Sequence, residues 1–378
     1  MTRLSTFSLR HWLPALAALP LVACGERAAQ PDNAAAPAAS AASPDEPRAK
    51  DGRRYLSQPL VRDFYTADPS AHVFDGKLYI YPSHDIDGPA KEDDLGNHFE
   101  MRDYRVLSMD APGGKVTAHP VALDVKDVPW ASKQMWAPDA AYRNGTYYLY
   151  FPAKDKQGAF RIGVATSTSP VGPFKANPRP IAGSFSMDPA VFTDDDGKSY
   201  MYFGGIWGGQ LQRYTTGSYD PNGSKTDLQA DDKPALMPKV APMAANMTEF
   251  AQKPRDLMIL DEHGKPLLGG DHDRRFFEAS WMHKYKGKYY FSYSTGDTHY
   301  IVYATGDSPY GPFTYKGRVL LPVDGWTSHH SIVEWQGKWW LFYADTQLSG
   351  QTRLRNVKMT ELRYNPDGTI QTIDPFVK

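Results

Sequence analysis

One cysteine, Cys24, is all that 378 residues contain. The chain can therefore form no internal disulfide, and past residue 24 it has no thiol for catalysis, so the folded part must hold by packing. Charge of one sign is also missing: 42 Lys and Arg stand against 43 Asp and Glu, a formal balance of −1 with no long basic run. That excludes nucleic acid as a partner and makes a strongly charged substrate unexpected. Long amphipathic helical patterns are absent too, and helical candidates reduce to short pieces such as residues 243–251. The longest apolar run, about 12–23, is too short for a membrane span.

That run lies in "MTRLSTFSLRHWLPALAALPLVACGERAAQ", with a basic start and small residues before Cys24. Residues 1–23 have the form of an export signal, and "LVAC" resembles the bacterial lipoprotein signal, in which cleavage precedes a cysteine that receives lipid. A plain secretory peptide with a chance cysteine is the alternative. Residues 24–52, Ala, Pro, Ser and charge, are too poor in large apolar residues to order themselves and read as a disordered tether. The expectation is an exported protein held by Cys24 in the bacterial cell envelope, periplasm or outer membrane, touching membrane only through that anchor. The globular domain is expected over 53–378.

What the chain has in quantity is aromatic residues, 13% of the total with 23 Tyr and 9 Trp. They suit strands packed in sheets, and they suit surfaces that stack on sugar rings. They recur in one unit of strand, glycine turn and strand: "VFDGKLYIYPS", "YRNGTYYLYFPA", "FTDDDGKSYMYFGG", "HKYKGKYYFSYS" and "VEWQGKWWLFYAD". Each is a β-hairpin, turning at Gly76, Gly145, Gly197, Gly287 and Gly337. A second repeat, "IGVATSTSPVGPF" at 162–174 and "IVYATGDSPYGPF" at 301–313, reads as a third strand with its exit turn. Five such units without intervening helices predict an all-β, five-bladed β-propeller; a sandwich of hairpins has no need of five similar units.

If first strands line the axis, the position eight or nine residues before each turn glycine faces the channel. Asp68, Asp188, Glu278 and His329 occupy it. In the second unit the place falls to Ala137, with Asp139 two residues on, on the same face by strand parity. Any one of these alone is an ordinary turn former or a hydrogen-bonded strand end, but turn chemistry does not explain ionisable groups in register. Clustered carboxylates cannot all be equally acidic. Glu278, among Phe276, Phe277 and Trp281, is the one expected to hold a proton. A protonated acid beside an ionised carboxylate is apparatus for cleaving a glycosidic bond, with one of Asp68 and Asp188 as that carboxylate and the other tuning the acid.

The hairpins with "ADPS", "MWAPD", "SMDPAVF", "FFEASWM" and "HHSIVEW", in order along nearly the whole chain past the tether, resemble glycoside hydrolase family 43. The resemblance implies a five-bladed propeller that cleaves xylosides or arabinofuranosides with inversion. Asp68 then matches the general base, Glu278 the general acid, and Asp188 the residue that modulates and orients the acid. His329 matches an axial histidine that in many members holds calcium or its water shell, and a histidine held by hydrogen bonds with no metal is the alternative. Arg355 matches an arginine that faces the sugar. Trp136, Phe99 and Trp207 are candidates for stacking on substrate or, equally, for core packing. The family's frequent second domain is not expected past "YNPDGTI", and loops 82–104 and 206–275 are expected to shape the pocket.

"YIYPSHDIDG", "MWAPDAAY" and "GGIWGGQLQRY" look like the exo-acting xylosidase and arabinofuranosidase members. The expected activity is thus release of xylose (β-1,4-xylosidase), of arabinose, or of both, from xylo-oligosaccharides or arabinoxylan. Three alternatives stand beside it: α-L-arabinofuranosidase as the main activity, a retaining fructosidase-type propeller, and a sugar-binding lipoprotein without catalysis.

Overall fold

A computed structural model describes residues 48–226, 230–326 and 329–377. The expected signal, Cys24 and the tether up to residue 47 lie outside them. Within them the regular secondary structure is almost all strand, and the main strands fold into five radial sheets. Blade 1 runs Tyr65–Phe74, Lys77–Asp85, Asp103–Met109 and Thr117–Asp124 from axis to rim. Blade 2 runs Asp139–Arg143, Thr146–Asp155, Phe160–Ser167 and Lys175–Ala176, and Ala131–Lys133 adds to its second strand. Blade 3 has Ala190–Thr193, Ser199–Phe203, Lys239–Pro242 and Arg255–Asp256. Blade 4 has Glu278–Tyr285, Lys288–Ser294, Ile301–Gly306 and Phe313–Leu320, edged by the parallel strand Ile259–Leu260. Blade 5 has three strands, His330–Trp335, Lys338–Asp345 and Asn356–Leu362.

The five expected hairpins are the first two strands of the five blades. Four turn through a residue pair with positive φ at both places: Asp75–Gly76, Asn144–Gly145, Lys286–Gly287 and Gln336–Gly337. That type I′ geometry matches strand twist and demands glycine at its second position. The second repeat likewise falls on the third strands of blades 2 and 4.

Each pair of neighbouring blades shares one apolar core, which shows the ring directly. Tyr81, Tyr104 and Phe151 join blades 1 and 2; Tyr150, Ile162 and Phe203 join 2 and 3. Tyr202, Phe291 and Val302 join 3 and 4; Tyr290, Leu341 and Tyr343 join 4 and 5; Leu78, Ile80 and Phe342 join blade 1 to blade 5. Most of the aromatic excess is here, buried from both sides between sheets.

The chain's ends fasten the ring. Arg54–Tyr55 pairs with Phe376–Val377, and the segment leading into blade 1 lies along blade 5, where Leu60 N donates to Val357 O at 2.9 Å. Ala49 is buried with Tyr55 and Phe376, so contacts with the propeller reach back a few residues before Arg53. The helical expectation at 243–251 fails. Met243 and Phe250 bridge as antiparallel neighbours, and the Asn246 side chain accepts the Thr248 N–H, diverting the backbone from a helix.

Candidate active site

The three carboxylates sit where first strands begin, and each sits on irregular backbone. Asp68 has φ 49° in a register shift between Ala67 and Ser70; Asp188 has φ 54° just before its strand; Glu278 opens a shift that reaches Trp281, with Ala279 at φ 65°. A bulge re-aims a side chain that regular pleating would send to a blade face, and here it turns each one to the channel mouth. There they line one pocket of about 230 Å³ with His329, Arg355, Trp136, Phe99 and Trp207. All eight of the pocket residues expected from sequence are brought together.

Arg355 organises the base side. Its Nη1 donates to Asp68 Oδ1 at 2.8 Å and its Nη2 to Asp68 Oδ2 at 3.2 Å. Its other edge grips Asp85: Nε to Oδ2 at 2.9 Å, Nη2 to Oδ1 at 2.9 Å, and the Arg355 peptide N–H to Oδ2 at 2.8 Å. Burial acts against the guanidinium's charge, but the Asp68 and Asp85 carboxylates outweigh it and hold Arg355 protonated. Burial pushes Asp85 upward while Arg355 opposes it. Ser83 Oγ adds a further hydrogen bond to Asp68 Oδ2, so both oxygens of Asp68 are held. Arg355 therefore reaches the site as the clamp of Asp68, and its guanidinium lies 4.9 Å from the Phe99 ring centre.

The acid side is apolar. Glu278 is half-buried by area, but its carboxyl stands in the narrow pocket beside Phe277 and Met187. Desolvation there, then the charge of Asp68, push its pKa up to about 8, with Arg355 in partial opposition. Asp188 is raised as well, by burial first and then by Glu278 and Asp68, while the Ala279 N–H, donating to its Oδ2 at 2.8 Å, pulls the other way. Two such carboxyls hold a proton between them at neutral pH. The Ala279 bond also ties Asp188 to the residue that follows Glu278.

His329 is buried, and burial lowers its pKa, so the ring is neutral. Its Nδ1 accepts the His330 N–H at 2.9 Å, which puts the ring proton on Nε2, 3.9 Å from Asp188 Oδ2. A ring so arranged donates. Among the described residues no group of three or more His, Cys, Asp or Glu could hold a metal ion. Calcium favours several oxygen ligands, and this donor set does not fit it at His329.

Asp139, on the same face by parity, lies below the pocket. It accepts from His72 Nε2 at 2.7 Å, from Ser70 Oγ and from the Val191 N–H, tying blades 1, 2 and 3 across the axis. Ala137 takes the second blade's place in the pocket wall. Sequence reasoning missed Asp85, Trp326 and His98. Asp85 ends the second strand of blade 1 within "YPSHDI", outside the counted register, and its charge was the available signal. Trp326 stacks 6.0 Å from Trp207 to form one wall. Trp136 packs on Phe160 behind it, 4.7 Å between ring centres, and its Nε1 donates to Phe99 O at 3.0 Å, so it is both wall and core.

Comparison with known proteins agrees with this geometry. The model of the family described as glycosyl hydrolases family 43 matches residues 57–370. A xylosidase/arabinosidase 43A of Humicola insolens is 60% identical over 84% of this chain and 99% of its own length. A beta-xylosidase of Xylanibacter ruminicola is 52% identical over 82% and 97%. Among solved structures, a beta-xylosidase/alpha-arabinofuranosidase from a compost microbial metagenome, in complex with xylotriose and in a calcium-free form, is 66% identical. It superimposes with a TM-score of 0.85 over 86% of this chain and 100% of the other. A Xanthomonas citri enzyme of the same family, complexed with xylotriose, is 57% identical with a TM-score of 0.81, over 86% and 95%.

Proposed function

The chain belongs to glycosyl hydrolase family 43, and from that premise we propose an exo-acting, inverting hydrolase that releases xylose, and arabinofuranose where it is presented, from the ends of xylo-oligosaccharides or arabinoxylan fragments. The observation that carries this reading is the pairing, across one pocket, of an apolar-set Glu278 with an Asp68 clamped by Arg355.

The steps follow from the geometry. Glu278, still protonated at neutral pH, donates to the glycosidic oxygen as the bond breaks. Asp68, its carboxylate held by Arg355, accepts a proton from water as that water attacks the anomeric carbon from the opposite face. Having both oxygens of Asp68 held by Arg355 and Ser83 favours orienting a water over forming an ester to the sugar, which supports inversion. Asp188 keeps the proton on the acid pair and, through Ala279, keeps Glu278 aimed. The neutral His329 supplies a donor beside Asp188. No step is assigned to calcium.

A pocket of about 230 Å³, below the roughly 300 Å³ at which drug-sized ligand sites begin, supports recognition of a short chain end and hence exo action. Proton NMR of the sugar first released from an aryl xyloside tests the stereochemistry: the inverted anomer is expected, and the retained anomer overturns the mechanism. Digestion of xylotriose and of arabinofuranosyl xylo-oligosaccharides ranks the two sugars. For location, the proposal is a lipid anchor at Cys24 in the cell envelope. Supporting it is the sequence "LVAC"; Cys24→Ser is expected to move the protein from the membrane to the soluble fraction.

A further inference from the structure

Loop 93–99 is built to present one imidazole. The Asp93 carboxylate accepts the Leu95 N–H at 3.1 Å, the Asn97 N–H at 2.9 Å and Asn97 Nδ2 at 2.6 Å, closing a tight turn. Gln134 Nε2 donates to Gly96 O at 2.8 Å, and Gly96 lies so close to Trp136 that a Cβ there would meet the ring at 2.6 Å. On this fixed loop His98 is 5% exposed, and its ring lies tilted against Phe99 with 4.2 Å between ring centres. Its Nδ1 accepts the Asp93 N–H at 3.2 Å, so the neutral ring carries its proton on Nε2. What surface the ring retains faces the pocket of Asp68 and Glu278, and Nε2 is accessible there with no hydrogen-bond partner among the described residues. Phe99, whose ring lies against His98, stands 4.9 Å from the Arg355 guanidinium that clamps Asp68, which places His98 near the Asp68 side.

A donor that opens onto the pocket with no protein partner, on a loop held by a turn and a tryptophan, is placed to bond a ligand there. We propose that His98 is a specificity-determining residue whose Nε2–H donates to a hydroxyl oxygen of the non-reducing-end sugar bound beside Asp68. The proposal rests on the hydrolase reading above. It follows that the pocket recognises one sugar hydroxyl by a donor whose loss leaves both polar groups unmatched, the situation in which hydrogen bonds discriminate best.

The test compares wild type, His98→Asn and His98→Gln on an aryl xyloside and on analogues in which each ring hydroxyl in turn is replaced by hydrogen. Asparagine can still accept the Asp93 N–H but offers no donor at the Nε2 position, whereas glutamine carries one there. His98→Asn is expected to lower kcat/KM on the parent substrate roughly 5- to 100-fold, to leave one deoxy analogue unaffected relative to wild type, and to be partly restored by His98→Gln. Because variants are compared on the same analogue, the analogue's altered reactivity cancels. Equal loss on every substrate means that His98 only supports the loop, and no loss on any means that it makes no such bond; either result overturns the proposal. Failure of the wild type on all aryl glycosides, with Glu278→Ala no different, would instead reject the hydrolase reading itself.

Discussion

Replacing Glu278 by alanine removes a carboxyl that desolvation, and then the charge of Asp68, push up to a pKa of about 8. At pH 7 such a group is about nine-tenths protonated, and it ceases to be an acid as pH rises through about 8. Wild-type kcat/KM on an oligosaccharide is therefore expected to fall along a basic limb centred near 8, about tenfold per unit beyond it. General acid catalysis is worth roughly 10²- to 10⁴-fold, or about 2.7 to 5.5 kcal/mol at 1.36 kcal/mol per decade. The whole of it is lost on xylobiose, whose leaving alkoxide must be protonated. Most of it is retained on a dinitrophenyl xyloside, whose phenolate departs unaided, and on that substrate the variant's basic limb disappears. Steady-state kinetics of both substrates between pH 5 and 10 decide the matter. An equal loss on the two substrates, or a basic limb that survives in the variant, refutes Glu278 as the acid and the apolar setting as the reason for its pKa.

Three other outcomes are expected. Asp85→Asn takes a charge from the far edge of the Arg355 fork; hydrogen bonds to charged groups are worth about 1.5–3 kcal/mol, so kcat/KM is expected to fall roughly 10- to 150-fold, and a change within threefold would show that Asp68 needs no such clamp. Gly96→Ala puts a Cβ 2.6 Å from the Trp136 ring at φ 66°, and an overpacking cost of about 1–3 kcal/mol is expected to appear as a raised KM and altered tryptophan fluorescence. Lys358→Met leaves buried Asp345 without the ammonium it faces at 2.5 Å; a loss of about 3–5 kcal/mol in urea unfolding is expected, and unchanged stability would refute it.

The propeller was legible because its signal is local and repeated. A type I′ turn needs glycine, so Gly76, Gly145, Gly287 and Gly337 could be found without any tertiary information, and counting back from them reached Asp68, Glu278 and His329. The same count stops short where partners come from far along the chain. Asp85 and Arg355 are 270 residues apart, and nothing near either one announces the other. His98 and Trp326 come from loops between or beyond the repeated units, where no register exists to count from. Asp139 shows the limit of parity: two residues on, the side chain kept its direction but moved down the axis, out of the pocket and into a buried link among three blades. At 243–251 a weak helical pattern yielded to one asparagine that offers the backbone another hydrogen bond.

The Asp68–Arg355 clamp joins residues 287 positions apart. A ribosome, or an export channel passing the chain N-terminus first, delivers the base early and its clamp nearly last. Four blades can emerge with Asp68, Asp188 and Glu278 all present, and the base still lacks its fixed counter-charge. Competence therefore arrives in one step, when blade 5 docks and Arg54–Tyr55 meets Phe376–Val377. Clipping the final few dozen residues would silence the site while leaving every carboxylate untouched.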